Sequence, residues 1–266
     1  MSVQTSLGRM YGLILQELCI TMRSLEIFMD ILFFPMMNVI LFGLITQFVG
    51  NVHAATNGQY LILGILLWEI VAINQYNVTV SSLWSVWSHN LTNIFMAPIS
   101  IIEYLGAHVI AAFLRTVFVV TLLAIGTYFF FGFNLLSVGL VNALLFFINL
   151  SIFAWWIGIM LLGLIFRYGT RIQAIAWGTI FFFQPLTASF FPVTVLPGFL
   201  QAVAYALPGT YVFEAGRQAL THGGINWRYH GIAFALNVGY MALAALVFYG
   251  LFQRSKQTGQ FARNDL

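Results

Sequence analysis

The chain has 266 residues, of which 61% are hydrophobic and 6% charged, with a formal net charge of +3. A water-soluble domain of this length would have to expose an apolar surface, and ten Lys and Arg scattered over a nearly charge-free background read as topology signals rather than as a nucleic-acid footprint. The composition is that of an integral membrane protein, with room in one domain for about six helices of ~20 residues across a ~30 Å hydrocarbon core.

The N-terminal stretch carries polar residues every few positions and no small-residue cleavage site after an apolar core, so a cleaved signal peptide is not expected. Residues 7–25 place Leu7, Met10, Tyr11, Ile14, Leu18, Met22 and Leu25 at helical spacing, with Arg9, Gln16 and Arg23 on another face. That pattern predicts a helix lying in the membrane interface, or an amphipathic helix packed on its own protein, on the cytoplasmic side in either case. Cys19 is the single cysteine, which excludes an internal disulfide and a Cys-based metal site.

Six apolar runs follow, at about 28–49, 59–83, 103–131, 137–165, 173–191 and 230–252, with turn-rich breaks at 50–58 and 132–134. With both termini in the cytoplasm, Arg9, Arg23, Arg167, Arg171, Arg254, Lys256 and Arg263 lie inside, and Arg217 and Arg228 outside. That asymmetry fixes the expected orientation. Between the fifth and sixth runs, Pro192, Pro197 and Pro208 interrupt an otherwise apolar stretch. Proline lacks a backbone donor and ends helices. The stretch 190–229 is therefore predicted as two short helices, about 197–206 and 208–221, forming a re-entrant hairpin that leaves on the side it entered. The alternative, a kinked seventh crossing, would carry the basic C-terminus outside. The fold class expected is all-α integral membrane, one domain over 1–266: an interface helix, six transmembrane helices, a cytoplasmic segment 84–100 and the outer region 190–229.

Ionisable groups inside a bilayer cost about 2.5–3.5 kcal/mol at a span's centre and mark functional candidates. Glu69 in the second run and Arg115 in the third each sit ~15–18 Å deep by counting 1.5 Å per residue, so an ion pair or shared polar network is expected between them. Its purpose is either helix register or substrate contact. Asn74, Gln75, Tyr76 and Asn77 form a polar cluster that either bonds across helices or lines a path. Glu214 and Arg217, three apart on a helix, are close enough to pair, and with Tyr211 they form an outer gate or staple the hairpin. Asn77, Asn90 and Asn149 head glycosylation-like triplets, but all fall in spans or on the cytoplasmic side. The five histidines show no metal-ligand spacing, and no nucleophile, base and acid cluster points to a membrane enzyme.

Two stretches carry a family likeness. Residues 90–106, NLTNIFMAPISIIEYLG, are similar to a cytoplasmic coupling segment in which a short helix ends at a Pro-Ile-Ser turn before the third span. Residues 191–201, FPVTVLPGFLQ, with 207–217, LPGTYVFEAGR, are similar to an outer region with a Pro-x-x-x-x-Pro opening, a Leu-Pro turn and an acidic residue three before an Arg. With the order of the spans, the whole chain resembles the membrane subunit of type-2 ABC exporters. That resemblance implies a multi-pass permease of the plasma (cytoplasmic or inner) membrane, paired with a second permease protomer, exporting an amphipathic lipid, lipid-linked glycan or hydrophobic drug. It implies separate ABC ATPase subunits holding ATP and Mg, and contacts to them from His89, Asn90, Asn93, Phe95, Met96 and Pro98. The chain departs from the family in lacking charged residues just before the coupling helix, where it has Ser85-Val-Trp-Ser-His-Asn90. Its one lysine, Lys256, follows a serine, so no Walker loop exists here, and neither enzymatic activity nor a bound cofactor is expected of this subunit. An ATP-independent transporter or channel is the alternative; it would call for paired broken helices in both halves, and a break is legible only in the second.

Overall fold

The computed structural model describes residues 3–50, 56–87, 94 and 96–258, and within them every regular element is helical. Helix α1 covers Val3–Arg23. Helices α2 (Leu25–Phe28) and α3 (Phe34–Gly50) are joined without a break by one wide π turn, Met29–Phe33. Pro35 has no N–H to offer Ile31, and the widened turn absorbs that missing rung while the Phe34 amide bonds back to Met29. Helix α4 spans Thr56–Trp87, α5 Ile101–Phe131, α6 Leu140–Tyr168, α7 Gln173–Leu186, α8 Gly198–Ala206, α9 Pro208–His222 and α10 Trp227–Gln257. A capping box starts α5: the Ser100 hydroxyl accepts from the Glu103 amide at 3.2 Å, and the Glu103 carboxylate accepts from the Ser100 amide at 2.8 Å. Gly132, at φ 66°, closes the same helix in the left-handed conformation that glycine adopts without strain.

Among the described residues, five segments are long and apolar enough to cross a bilayer: Leu25–Phe48, Gly58–Ser85, Ile101–Phe131, Leu140–Tyr168 and Trp227–Gln257. The fifth apolar run of the sequence, 173–191, does not form a sixth such helix, because Pro185 lies in its last turn and α7 stops at Leu186 after 14 residues.

Helix directions follow from which side chains meet. Asn38 bonds to Glu69 and Asp30 to Tyr76, so α3 and α4 run antiparallel. Asn74 meets Ser151 and Val78 meets Gly158, so α4 and α6 run parallel. Tyr104 packs near Phe166 and Phe113 near Trp155, which makes α5 antiparallel to α6. Phe146 faces His230, Asn237 bonds to the Asn149 carbonyl, and Ser255 bonds to the Phe166 carbonyl; α6 and α10 are therefore also parallel. Two consecutive long helices pointing the same way require the chain between them to come back. Residues 169–190 make that return along α4, from Ala176 beside Gln75 to Ser189 beside Gly64. A four-residue 3-10 turn, Gly169–Ile172, followed by the 14 residues of α7 reaches about 29 Å.

Helix α4 is the centre of the bundle. Leu63, Ile65, Leu66, Val71, Val78 and Leu83 are each at most 2% exposed, so it is apolar and covered on nearly every side. Small residues bring its neighbours close. A β-carbon at Gly158 would lie 2.8 Å from Val78, and one at Gly216 would lie 3.1 Å from Leu63. Pro197 precedes α8 and Pro208 occupies the first position of α9. The turn between these helices packs beside Phe153, and the Tyr240 hydroxyl donates to the Ala206 carbonyl at 3.1 Å. Phe153 and Tyr240 each stand 13 residues into α6 and α10, about 20 Å from their first residues. Helix α9 then leads back to those N-terminal ends, where Asn142 donates to the Gly224 carbonyl at 2.7 Å.

Candidate functional site

The π turn and α3, the middle of α4 and the stretch of α7 from Ala176 to Phe181 line an open groove of about 310 Å³. Asp30, Phe34 and Asn38 face it from the first wall, Glu69, Gln75 and Tyr76 from the second, and Trp177 and Phe181 from the third. The Tyr76 hydroxyl donates to Asp30 Oδ2 at 2.5 Å, and its ring meets Trp177 edge-on at 5.3 Å. Asn38 Nδ2 donates to Glu69 Oε1 at 3.2 Å, and Glu69 is 2% exposed. The groove is therefore a mostly apolar, partly aromatic space with two carboxylates on its wall.

The four polar residues 74–77 are parted by the ~100° helical step between successive side chains. Asn74 faces α6, donating to Ser151 Oγ at 3.2 Å and accepting from Trp155 Nε1 at 2.9 Å. Gln75 faces α7 and donates to the Ala176 carbonyl at 3.1 Å. Tyr76 faces the π turn, and Asn77 faces α5, accepting from Arg115 Nη1 at 2.8 Å. All four bond across helices, and Gln75 and Tyr76 also line the groove.

Arg115 does not pair with Glu69. Its guanidinium reaches α1, bonding to the Glu17 carboxylate at 3.0 Å and to the Glu17 carbonyl, while Glu17 also lies 3.5 Å from His108 Nε2. On α4, Arg115 stands level with Asn77, eight residues and about 12 Å from Glu69. The ion pair expected from depth counting is thus replaced by two separate arrangements, Glu69 with Asn38 and Arg115 with Asn77 and Glu17. The amphipathic N-terminal segment supplies the unforeseen partner. Helix α1 packs along α5, with Met10 over Gly106, Arg9 bonded to Glu103 at 2.5 Å and the Ser6 hydroxyl also donating to that carboxylate.

At the other end of the bundle, Glu214 and Arg217 form an ion pair at 2.9 Å. Arg217 also donates to the Ala188 carbonyl at 3.0 Å, and Glu214 accepts from the Val193 amide at 2.9 Å. The pair is tied to the backbone on either side of Pro192, a turn in which Ala188 holds φ 50°. The Tyr211 hydroxyl donates to the Tyr205 carbonyl at 2.9 Å, holding α9 to α8. Pro192, Pro197 and Pro208 stand at the element boundaries of this region, each before or at the first residue of a helical turn.

The 84–100 segment opens as a continuation of α4, which stays helical through Trp87. His89, Asn90, Asn93 and Phe95 lie outside the described residues. Met96 is 79% exposed and Pro98 is exposed. Sequence reasoning missed Asp30, Trp177 and Glu17. Asp30 stands third in the first apolar run, where it reads as a boundary residue, and only its pairing with Tyr76 places it on the groove. Glu17 sits on an amphipathic helix, where a carboxylate is unremarked.

Comparison with curated proteins returns no match. The family model for ABC-2 type transporters matches residues 10–221, from α1 through the last turns of α9. With that match over most of a chain built from long apolar helices, the protein belongs to the ABC-2 type transporter family.

Proposed function

We propose that this multi-pass membrane protein is the permease subunit of an ATP-driven exporter and works as a dimer, moving an amphipathic substrate out of the cytoplasm or inner leaflet between two protomers. The observation that carries the reading is the family match over residues 10–221. An ABC permease is a transport subunit and not itself the catalyst; ATP and Mg belong to a separate ATPase on the cytoplasmic face.

In this reading the chain crosses six times, five times as long helices and once as the return segment 169–190. The parallel course of α6 and α10 and the ~29 Å reach of that segment support the count. Both termini then lie in the cytoplasm, with Arg167, Arg171, Arg254 and Lys256 at the same end of the bundle, where Arg167 bonds to Thr258 at 3.0 Å. Helices α8 and α9 form the outer re-entrant hairpin, supported by their turn lying ~20 Å along α6 and α10. The segment 84–100 is the contact for the ATPase, supported by the exposure of Met96 and Pro98. At 32 residues, α4 is about 48 Å long, well beyond a ~30 Å core, so one end has to project from it.

The test is purification of the chain from its native membrane without crosslinker, followed by flux measurement in proteoliposomes. A soluble ATPase that arrives with the chain and makes flux ATP-dependent is the expected result. Flux without ATP and without any such partner overturns the reading in favour of a self-contained transporter or channel.

A further inference from the structure

We infer that the groove between the π turn, α4 and α7 is a binding site for a compact organic cation carried on an aromatic or branched apolar body, and that this is the cargo class of the permease. The inference rests on the permease reading for the word cargo, but the site stands on its own geometry.

The space is concave, about 310 Å³, and walled largely by apolar side chains with a few polar groups, the usual build of a small-molecule pocket. What sets it apart is the sign of its polar groups. Among the described residues that line it there are two carboxylates, Asp30 and Glu69, and no Lys, Arg or His. The nearby guanidinium, Arg115, is not among the lining residues and is engaged by Glu17 and Asn77. Glu69 is 2% exposed, and its polar partner among the described residues is one neutral amide, Asn38 at 3.2 Å. A buried carboxylate with a neutral partner lacks the compensation that a cation supplies.

The second feature is aromatic. Tyr76 and Trp177 meet edge-on inside the groove, and Phe34 and Phe181 stand at its rim, 56% and 70% exposed. Ring faces attract cations and pack against flat apolar bodies. Asp30 and Asn38, the partner of Glu69, are eight residues apart along the first wall, roughly 12 Å. A cation entering past the rim therefore meets Asp30 near Trp177 and has Glu69 further along the groove, on the opposing wall. An anionic lipid headgroup or a phosphorylated glycan would face two like charges instead.

The test uses two probes of nearly the same shape and opposite sign, tetraphenylphosphonium and tetraphenylborate. Binding of each is measured on the purified full-length chain in neutral phosphatidylcholine nanodiscs, with empty nanodiscs subtracted. The expected result is saturable binding of the phosphonium at least tenfold tighter than of the borate. Glu69→Gln and Asp30→Asn should each weaken it by about tenfold, the loss of one charge-assisted contact, while Glu69→Asp retains it. Equal affinity for the two ions in the unaltered chain overturns the inference, and so does unchanged phosphonium binding in the Glu69→Gln, Asp30→Asn double variant. The comparison in the unaltered chain needs no mutant to fold. Failure here with an ATPase still co-purifying removes only the cation site; charge-selective binding with no ATPase partner removes only the permease reading.

Discussion

Replacing Glu17 with Gln leaves Arg115 buried, its side chain 5% exposed, and takes away a counter-charge at 3.0 Å. Two unit charges at that distance attract by about 5–6 kcal/mol at an effective dielectric of about 20. Part of that attraction is offset because Glu17, 8% exposed, no longer carries a desolvated charge. Arg115 also keeps Asn77 at 2.8 Å and the Glu17 carbonyl. The net loss should be about 3 kcal/mol, within the range for breaking one side of a buried pair. For a chain of this size that corresponds to a fall of about 6–12 °C in apparent Tm, read by fluorescence-detected size exclusion of heated, detergent-solubilised protein. The decisive form is a pair of double-mutant cycles. Glu17→Gln with Arg115→Gln should show a coupling of about 2 kcal/mol, whereas Glu69→Gln with Arg115→Gln should be additive within about 0.5 kcal/mol. Coupling of Arg115 to Glu69 that exceeds its coupling to Glu17 would refute the assignment of α1 as the carrier of the counter-ion.

Further predictions concern packing, the proline region and topology. Gly158→Ala should cost about 1–3 kcal/mol by driving α6 away from Val78 on α4, while Gly178→Ala, with no atom within 4 Å of its added carbon, should leave thermal stability unchanged. Arg217→Lys should destabilise nearly as much as Arg217→Gln, about 2 kcal/mol, because a single ammonium cannot reproduce a fork that holds both Glu214 and the Ala188 carbonyl; equal stability of the Lys variant and the native chain would contradict this. In a Cys19→Ser background, a cysteine at Thr258 should react with a membrane-impermeant maleimide only from the cytoplasmic face and one at Gly223 only from the outside. Labelling of position 258 from outside would remove one of the six proposed crossings.

The long helices were legible because twenty or more apolar residues in a row have few other fates. The proline-bounded pieces near 197–206 and 208–221 were legible as well, because Pro197 and Pro208 leave little freedom about where a helix begins. Length misled at 173–191, where composition alone extended a run that Pro185 ends five residues sooner. Depth counting misled at Arg115. It places the Cα, whereas a long guanidinium stem carries its charge several ångströms along the helix, here toward α1. The Asn74–Asn77 cluster was visible as polar, but a run of successive residues points to four directions at once, and only the positions of α5, α6 and α7 say which neighbour each one meets.

Helix α4 passes without interruption from the groove wall at Glu69 and Tyr76 to Trp87, at the edge of the segment that leads to Pro98. A rod of about 48 Å that tilts by about 5° around its middle swings each end by about 2 Å. Glycine-lined contacts hold α6 and α9 against this rod, and the Gln75 bond to the Ala176 carbonyl with the Gly64 contact to Ser189 holds the return segment, so these walls move with it. In the proposed orientation, a small push at the Trp87 tip would pass to the helices around the cleft, and the tightness of the central packing would set how much of it arrives.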